Sequence, residues 1–337
     1  MKKHILYIVF LTTLNIQSQD LSNLYEKVNP AVVVILTEEK EMVNLGNTTK
    51  AVTSNGLGSG FLISDTQIIT AAHVVQVAEK LVVQFLDGEK IPANVISSYG
   101  TADIALIELL WPRKNAVTVK LGDSDKAKIG SKVFIVGAPF GLGHSFSSGY
   151  LSGFKRNLQD KNPFTKSEYI QTDAAINTGN SGGPMFNMNG EVIGVVSNIL
   201  TKSGGFEGIG FATTSNLTKK LLLDKKPFWS GTEMIPITGK MAEIFNLPQK
   251  TGFLVQKVVM SSPFGIIGIK AGDIEIEIGG VNLWAGGDII LSINGIKVEE
   301  SDESLLKIAN LMEQRAIGAP IQVTVLRAGK IVTLGRM

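Results

Sequence analysis

The 337-residue sequence contains no cysteine, which excludes disulfide bonds, thiol nucleophiles and thiolate-bound metals. Histidine is also scarce: only His4, His73 and His144 occur, and their separation predicts no zinc site and no cofactor. Charged residues are few and the net charge is +2, so nucleic acid is not an expected partner. What is abundant is glycine, with 36 residues, together with short apolar runs, a composition typical of a β-rich protein stabilised by packing alone.

The N-terminus has the pattern of a secretory signal. Lys2 and Lys3 are basic, residues 5–14 are largely apolar, and Ser18 is a small residue before a polar segment. The apolar stretch is shorter than the ~20 residues that a membrane-spanning helix needs. We therefore predict a signal peptide over 1–18, cleavage near Ser18 and a periplasmic protein; an uncleaved membrane anchor is the alternative.

One glycine-rich segment, residues 179–184 with the letters GNSGGP, sets a single serine among residues that let a substrate approach the backbone closely. A serine needs a base to accept its proton and an acid to orient that base. His73 and Asp103 lie upstream in the segments ITAAHVV and TADIALI, and the order His, Asp, Ser is that of chymotrypsin. The sequence therefore predicts a catalytic triad of His73, Asp103 and Ser181; a glycine turn that happens to carry a serine is the alternative.

The same segment predicts an oxyanion hole. Glycine at position 179 lets its amide point at a developing negative charge, together with the amide of Ser181 and, as a further candidate, that of Asn180. Such donors contribute ~2.7 to 4 kcal/mol each in the transition state.

Taken together, these motifs resemble those of the HtrA (Deg) family, whose members join a trypsin-like serine protease domain to PDZ domains. Further segments that match the family are GSGF at 58–61, GAPFG at 137–141, QTDAAIN at 171–177, GEVIG at 190–194 and GIGFA at 208–212. The resemblance implies a mainly β protein with two six-stranded barrels over 19–224 and one PDZ domain, an α+β fold, over 229–337. It also implies that the active site lies between the barrels.

Between these domains, we expect a helix that Ser215 caps and that ends before Pro227, because proline disfavours helix at the preceding residue. The segments 252–258, 286–295 and 321–326 are predicted strands of the PDZ domain. Residues 301–316 are predicted to form its long helix, with an apolar stripe that packs on the sheet and lines a peptide groove.

The substrate preference follows from the S1 pocket. The position six residues before Ser181, where an acidic residue would select Lys or Arg, is Ala175, so a basic preference is not expected. By resemblance, Ile176, Ile199 and Leu200 line a shallow apolar pocket for small aliphatic residues. The alternative is that these three side chains are barrel core.

The family resemblance also suggests regulatory features. The carboxylate-binding loop of the PDZ domain corresponds to Ser230, Gly231 and Thr232, although polar residues replace its usual apolar ones. In the loop upstream of the nucleophile, Arg156 is the candidate relay between peptide binding and the protease, with a solvated surface arginine as the alternative. The N-terminal residues Leu24 and Tyr25 are expected near a trimer contact.

We therefore predict an exported serine endopeptidase of protein quality control. It cleaves unfolded proteins after small aliphatic residues, which folded proteins bury, and C-terminal peptides bind its PDZ domain. Two alternatives remain: a chaperone or holdase with secondary proteolysis, and a peptide-activated signalling protease with one substrate.

Overall fold

The computed structural model of the protein describes residues 21–44, 49–138, 143–157, 167–200, 205–224, 228–315 and 319–336. The predicted signal peptide and residues 225–227 of the predicted domain boundary lie outside this set. No helix in these ranges is both long and apolar enough to cross a membrane.

The first barrel is closed and antiparallel. Its strands are β1 (Val32–Asn44), β2 (Thr49–Leu62), β3 (Gln67–Thr70), β4 (Ala78–Gln84), β5 (Lys90–Tyr99) and β6 (Ile104–Leu109). They pair in the order β1-β2-β3-β6-β5-β4. Two helices accompany them, α1 (Leu21–Val28), which is followed by a 3-10 turn over Asn29–Ala31, and α2 (Ala72–Val75) between β3 and β4.

The second barrel has the same closed form. Its strands are β7 (Lys132–Gly137), β8 (Ser145–Asn157), β9 (Ser167–Thr172), β10 (Pro184–Phe186), β11 (Val192–Ile199) and β12 (Gly210–Thr214). They pair in the order β10-β11-β12-β9-β8-β7. A 3-10 turn over Ser124–Lys126 precedes the barrel. The predicted double barrel is thereby confirmed.

Some strands are apolar on both faces because they lie between two cores. In β6, Ala105 and Ile107 fill the first barrel, whereas Ile104 and Leu106 belong to a cluster shared by both barrels. Successive side chains of a strand point to opposite faces, so a strand buried on both sides becomes a continuous apolar run. Phe134 of β7 joins the shared cluster in the same way. The two barrels are therefore held together by a core of their own.

The segment after the second barrel differs from its prediction. An α-helix, α3 (Ser215–Thr218), continues as a π-helical turn over Lys219–Leu223. Its N-cap residue is Thr214, not Ser215. The Ser215 hydroxyl instead donates to the carbonyl of Gly122, 2.8 Å away, so a tertiary acceptor replaces the predicted local cap.

The C-terminal part contains the predicted PDZ fold. Its elements are β13 (Thr232–Ile237), α4 (Gly239–Ile244), β14 (Gly252–Val258), α5 (Pro263–Ile266), β15 (Ile274–Ile278), β16 (Val281–Ala285), β17 (Ile289–Ile293), β18 (Ile296–Lys297), α6 (Asp302–Glu313), β19 (Gln322–Arg327) and β20 (Lys330–Gly335). The sheet order is β13-β14-β17-β19-β20, and β18 pairs with β17. Strands β15 and β16 form a separate hairpin. Ser301 caps α6 by accepting the Ser304 amide.

The PDZ fold contacts the first barrel through Gln76, the residue that follows α2. The Trp229 indole N–H donates to the Gln76 carbonyl at 3.0 Å, and the Gln76 side-chain amide donates to the Thr232 carbonyl at 3.0 Å. The Ser98 hydroxyl donates to Oε1 of the same Gln76 side chain. The start of β13 is thus joined directly to the end of the helix that carries His73.

Candidate active site

His73 and Asp103 lie together although 30 residues separate them in sequence. The Nδ1 atom of His73 is 2.9 Å from both carboxylate oxygens of Asp103. The backbone N–H of His73 also donates to Asp103 Oδ1 at 3.0 Å. This arrangement fixes the imidazole so that Nδ1 carries the proton and Nε2 faces away from the carboxylate, as a general base requires.

Asp103 occupies the last position of a tight turn before β6. Its amide donates to the Gly100 carbonyl at 3.1 Å, and its φ of 53° is left-handed. Aspartate is one of the few residues with a side chain that enters this conformation readily. The turn directs the carboxylate toward α2, where it is only 14% exposed.

The surroundings of His73 favour its charged form. Partial burial lowers its pKa, but the hydrogen bond and charge of Asp103, assisted by the charge of Glu39, outweigh that effect and raise the pKa above the ordinary 6.5. Glu39 itself has a raised pKa, chiefly because it is buried. Stabilisation of the imidazolium is the electrostatic property that proton transfer from a serine needs.

Ser181 lies between β9 and β10 of the second barrel. Its hydroxyl donates to the carbonyl of Ser197 at 3.3 Å; in the described part of the chain it forms no hydrogen bond with His73. Catalytic hydrogen bonds are often long or misaligned before substrate binds. The imidazole and carboxylate are therefore aligned, whereas the nucleophile is turned aside.

Ser197 is a site residue that the sequence analysis missed. Its hydroxyl donates to Asp103 Oδ2, while its carbonyl holds the Ser181 hydroxyl. It thus contacts two members of the predicted triad from β11 of the second barrel. The only sequence signal is a serine that ends the buried apolar run 192–196.

The nucleophile loop presents two backbone amides. The N–H groups of Gly179 and Ser181 donate to no acceptor among the described residues, and Gly179 has a φ of 97°. The amide of Asn180, by contrast, donates to the Asn177 carbonyl at 3.0 Å. In this conformation the loop itself uses that amide, so the role of Asn180 as a third oxyanion donor stays a prediction.

The first barrel fastens this loop through Ser59. Its amide donates to the Ser181 carbonyl at 2.8 Å and its hydroxyl donates to the Gly179 carbonyl at 2.6 Å. The same hydroxyl accepts the Ala138 amide at 2.9 Å. Ser59 is fully buried, so water does not replace these bonds.

The three predicted S1 residues have different environments. Ile176 is buried in the core of the second barrel, and Ile199 is half-buried against that core. Leu200 is 62% exposed. The pocket assignment remains a prediction, with Leu200 the most accessible of its members.

Arg156 on β8 is exposed, with 43% of its side chain accessible, but it is also paired with a buried carboxylate. Its Nε lies 2.5 Å from Glu168 Oε1, and Glu168 is buried and also accepts the Thr214 hydroxyl. The guanidinium stacks 4.6 Å above the Phe154 ring. Breaking a pair that contains a buried charge is costly, so any relay through Arg156 would require a new partner for Glu168.

The predicted carboxylate loop is satisfied internally. The Ser230 hydroxyl accepts the Thr232 amide at 3.3 Å and lies 2.7 Å from the Thr232 hydroxyl. Gly231 has a φ of 69°, and a Cβ there would lie 2.1 Å from the Cβ of Ser262. A peptide carboxylate would have to compete with Ser230 for the Thr232 amide.

Among the described residues, no group of three or more His, Asp or Glu side chains is arranged to hold a metal ion.

Comparison with known families gives two matches along the chain. Residues 58–195 match the family model of the trypsin-like peptidase domain, and residues 208–335 match that of the PDZ domain. The second match begins before β12, so it includes the last strand of the second barrel.

Curated relatives agree with these matches. The chain is 36% identical over 295 residues to a "Probable periplasmic serine endoprotease DegP-like" from Pseudomonas putida, covering 84% of this chain and 57% of that protein. It is 32% identical to a "Probable periplasmic serine protease do/HhoA-like" from Haemophilus influenzae, covering 93% of this chain and 70% of that protein. The chain spans little more than half the length of several of these relatives.

Solved structures extend the comparison to the whole fold. The "HtrA-type protease AlgW with tripeptide" is 29% identical, with a TM-score of 0.53, covering 94% of this chain and 95% of the other. A second structure of that protease with a decapeptide gives the same TM-score at 27% identity and covers 94% of this chain and 97% of the other. The chain belongs to the HtrA/Deg family of trypsin-like serine proteases that carry a PDZ domain.

Proposed function

We propose that the chain is a periplasmic serine endopeptidase that cleaves unfolded or damaged proteins. The observation that supports it most strongly is the hydrogen-bonded pair of His73 and Asp103, which Ser197 connects to the Ser181 hydroxyl. The periplasmic location rests on the signal-like N-terminus and on the names of the relatives, which are periplasmic proteases.

In the proposed mechanism, Ser181 Oγ attacks the peptide carbonyl carbon while His73 Nε2 accepts the hydroxyl proton. Asp103 orients the imidazole and stabilises its positive charge. The oxyanion of the tetrahedral intermediate accepts hydrogen bonds from the backbone N–H groups of Gly179 and Ser181. His73 then returns the proton to the leaving amine, which departs and leaves an acyl-enzyme. In the second half of the reaction, water attacks the acyl carbonyl while His73 accepts its proton, and His73 returns that proton to Ser181 as the ester bond breaks. No cofactor is required.

The proposed substrates follow from the S1 position. Ala175 offers no charge for Lys or Arg, and Ile176, Ile199 and Leu200 offer apolar surface for Val, Ala, Ile or Leu. Folded proteins bury such residues, so the enzyme encounters them mainly in unfolded chains. This connects the pocket with protein quality control.

Peptide regulation is proposed for the PDZ domain. The AlgW structures are titled as complexes with a tripeptide and a decapeptide, and β13 forms an edge of the sheet here. An extended C-terminal peptide can add to such an edge and place its carboxylate at Ser230, Gly231 and Thr232.

A peptide-activated protease with one substrate is the second candidate. It is favoured by the Ser181 hydroxyl, which bonds to Ser197 instead of His73, as in an enzyme that rests until a partner binds. A holdase role is tested in the same experiment through Ser181→Ala.

The test is digestion of reduced casein by the purified chain and by Ser181→Ala, with and without apolar C-terminal peptides. We expect Ser181-dependent cleavage after small aliphatic residues. Cleavage mainly after Lys or Arg would contradict the pocket, and cleavage that survives in Ser181→Ala would contradict the triad. Suppression of aggregation by Ser181→Ala without proteolysis would favour the holdase.

A homotrimer is the proposed assembly. Tyr25 of α1 contacts the ring of Phe146 edge-on, and Phe146 is 38% exposed, so an apolar surface is available next to Leu24. Light scattering that gave only monomer would contradict this proposal.

A further inference from the structure

Two strands of the second barrel direct hydroxyl groups at the backbone of the Asp103 turn. Thr213 on β12 donates from Oγ1 to the Ala102 carbonyl at 2.5 Å. Tyr169 on β9 donates from its phenol to the Thr101 carbonyl at 3.0 Å. Residues 101, 102 and 103 are consecutive, and Ser197 on β11 already donates to the carboxylate of the third.

The register of the barrel explains this alignment. Thr213 and Tyr169 are direct partners across the β12–β9 ladder, so their side chains share one face of the sheet. Their neighbours Ala212 and Ile170 lie in the core of the second barrel. Because side chains alternate along a strand, Thr213 and Tyr169 point out of that barrel, toward the first.

The bond at Thr213 is enclosed. Thr213 and Ala102 are both fully buried, so water does not compensate for a lost hydroxyl there, and the carbonyl would be left without a partner. Tyr169 is half-buried, and burial together with the charge of Asp103 raises the pKa of its phenol. It therefore remains protonated, and a donor, at neutral pH.

The last residue of the turn has a left-handed backbone, so the direction of its side chain depends on how the preceding peptide groups are held. Within the turn, the Asp103 amide donates to the Gly100 carbonyl, and the carboxylate is contacted from outside the turn by His73 and Ser197. A catalytic group displaced by about 1 Å can lose a hundredfold in rate. The carbonyls of residues 101 and 102 set the plane of the turn, and hence the angle at which Asp103 meets His73.

We propose that Thr213 and Tyr169 are positioning residues for catalysis: their hydroxyls hold the backbone of the Asp103 turn so that its carboxylate stays aligned with His73. The proposal rests on the proposed role of the triad. It gives the second barrel two further contributions to the acid–base pair of the first, both made through backbone carbonyls rather than through reacting atoms.

The experiment measures kcat, KM and the pH profile of kcat/KM on a peptide substrate for Thr213→Val, Thr213→Ser and Tyr169→Phe. Thr218→Val is the matched control, because its buried hydroxyl also donates to a carbonyl, but to that of Thr214, the N-cap residue of α3, and not to a carbonyl of the Asp103 turn. Thermal unfolding and titration with a serine-directed fluorophosphonate correct each rate for folded, reactive enzyme.

We expect Thr213→Val to lower kcat by about tenfold, the effect of one lost buried hydrogen bond, with KM within about twofold. The midpoint of the pH profile of kcat/KM moves to lower pH, because a displaced Asp103 carboxylate stabilises the His73 imidazolium less. The charged groups that contribute to the pKa of His73 are Asp103 and Glu39. Thr213→Ser restores both values, and Tyr169→Phe lowers kcat by about threefold, since its bond is more exposed.

The proposal is overturned if Thr213→Val and Tyr169→Phe keep the kcat and pH midpoint of the parent, or if Thr218→Val changes them as much. Should Thr213→Val fail to fold, Tyr169→Phe decides by the same criteria. Ser181→Ala is measured in parallel: if it is inactive while the two variants are unaffected, only the positioning role fails. If Ser181→Ala remains active, the proposed triad fails instead.

Discussion

The Asp103 turn and the nucleophile loop are each held by the barrel to which they do not belong, but to different degrees. The turn, residues 100–103, receives hydroxyls from Ser197, Thr213 and Tyr169 on three strands of the second barrel. The loop, residues 177–183, is fastened to the first barrel by Ser59. The turn therefore has side-chain donors from three residues of the opposite barrel, whereas the loop is held to the opposite barrel by Ser59.

The nucleophile loop contains polar groups that are not hydrogen-bonded within the described structure. Among the described residues, two of its amides, at Gly179 and Ser181, have no acceptor, and the buried side-chain oxygen of Asn180 has no hydrogen-bond donor. An unpaired buried polar atom costs about 1 to 3 kcal/mol. The unpaired groups raise the free energy of the loop, and a rearrangement or a bound substrate that pairs them would lower it. The groups of the turn described above are already hydrogen-bonded, so moving it would break bonds.

The difference matches what the two segments must do. The Asp103 carboxylate orients His73 in a single geometry, so it works best when it does not move. A nucleophile and an oxyanion hole must accept a substrate and follow it through the change from planar to tetrahedral carbon. When the turn is fixed and the loop stays adaptable, His73 and Asp103 can be aligned before the substrate arrives.

The largest expected effect comes from Asp103→Asn. Asparagine also tolerates the left-handed conformation, so the turn should fold normally. One carboxylate oxygen becomes an NH₂ donor and the negative charge is lost, which favours the wrong His73 tautomer and no longer stabilises the imidazolium. We expect kcat to fall by about 10⁴ with an unchanged melting temperature. Asp224→Asn, at an exposed position, is the control. A large drop in melting temperature would show that the carboxylate also maintains the turn.

Ser59→Ala should weaken the other segment. It removes the hydroxyl that joins the Gly179 carbonyl to the Ala138 amide in a fully buried position. We expect kcat to fall by about 10- to 100-fold and stability by ~1 to 3 kcal/mol. Ser54→Ala, on the same strand β2, is the control for kinetics and urea unfolding. Parent-like kcat in Ser59→Ala would mean that the loop is aligned without the first barrel.

The smallest effect concerns pH. His73 must be neutral to act as a base, and its pKa is raised above 6.5, so kcat/KM should decline as the pH falls through a midpoint above 6.5. The same shift stabilises the fold below 6.5, and that contribution is lost as the pH rises through the folded pKa. Glu39→Gln removes one supporting charge and should lower the midpoint.

The control for that variant is Glu233→Gln. Glu39 and Glu233 both lie near the Lys257 ammonium, at 3.9 and 3.8 Å, but the charge of Glu39, not that of Glu233, contributes to the pKa of His73. Equal midpoints in Glu39→Gln and the parent would show that the charge of Glu39 does not raise the pKa of His73.

Much of the fold could be predicted because its signals are local. Short apolar runs indicate strands buried on both faces, and Ser301 marks the start of α6 through its own hydroxyl. The candidate residues His73, Asp103 and Ser181 could be picked out because each lies in a recognisable segment. Ser215 shows the limit: a good capping residue was claimed by the Gly122 carbonyl, 93 residues away.

The supporting hydroxyls could not be predicted for the same reason. Ser197 is 94 residues from Asp103, and Ser59 is 120 residues from Gly179. Thr213 reaches Ala102 across 111 residues. Serine and threonine are common, and nothing in their neighbourhood distinguishes a hydroxyl that will support a catalytic turn from one that faces solvent. Only the closing of both barrels brings these groups together.

The left-handed backbone at Asp103 also limits which sequences can occupy this position. Glycine, asparagine and aspartate adopt that conformation at little cost, but only aspartate carries a charge. Glutamate carries the charge but does not favour the backbone, and its extra methylene would displace the carboxylate. The backbone conformation admits several residues and the charge admits two, but aspartate alone meets both requirements at this position.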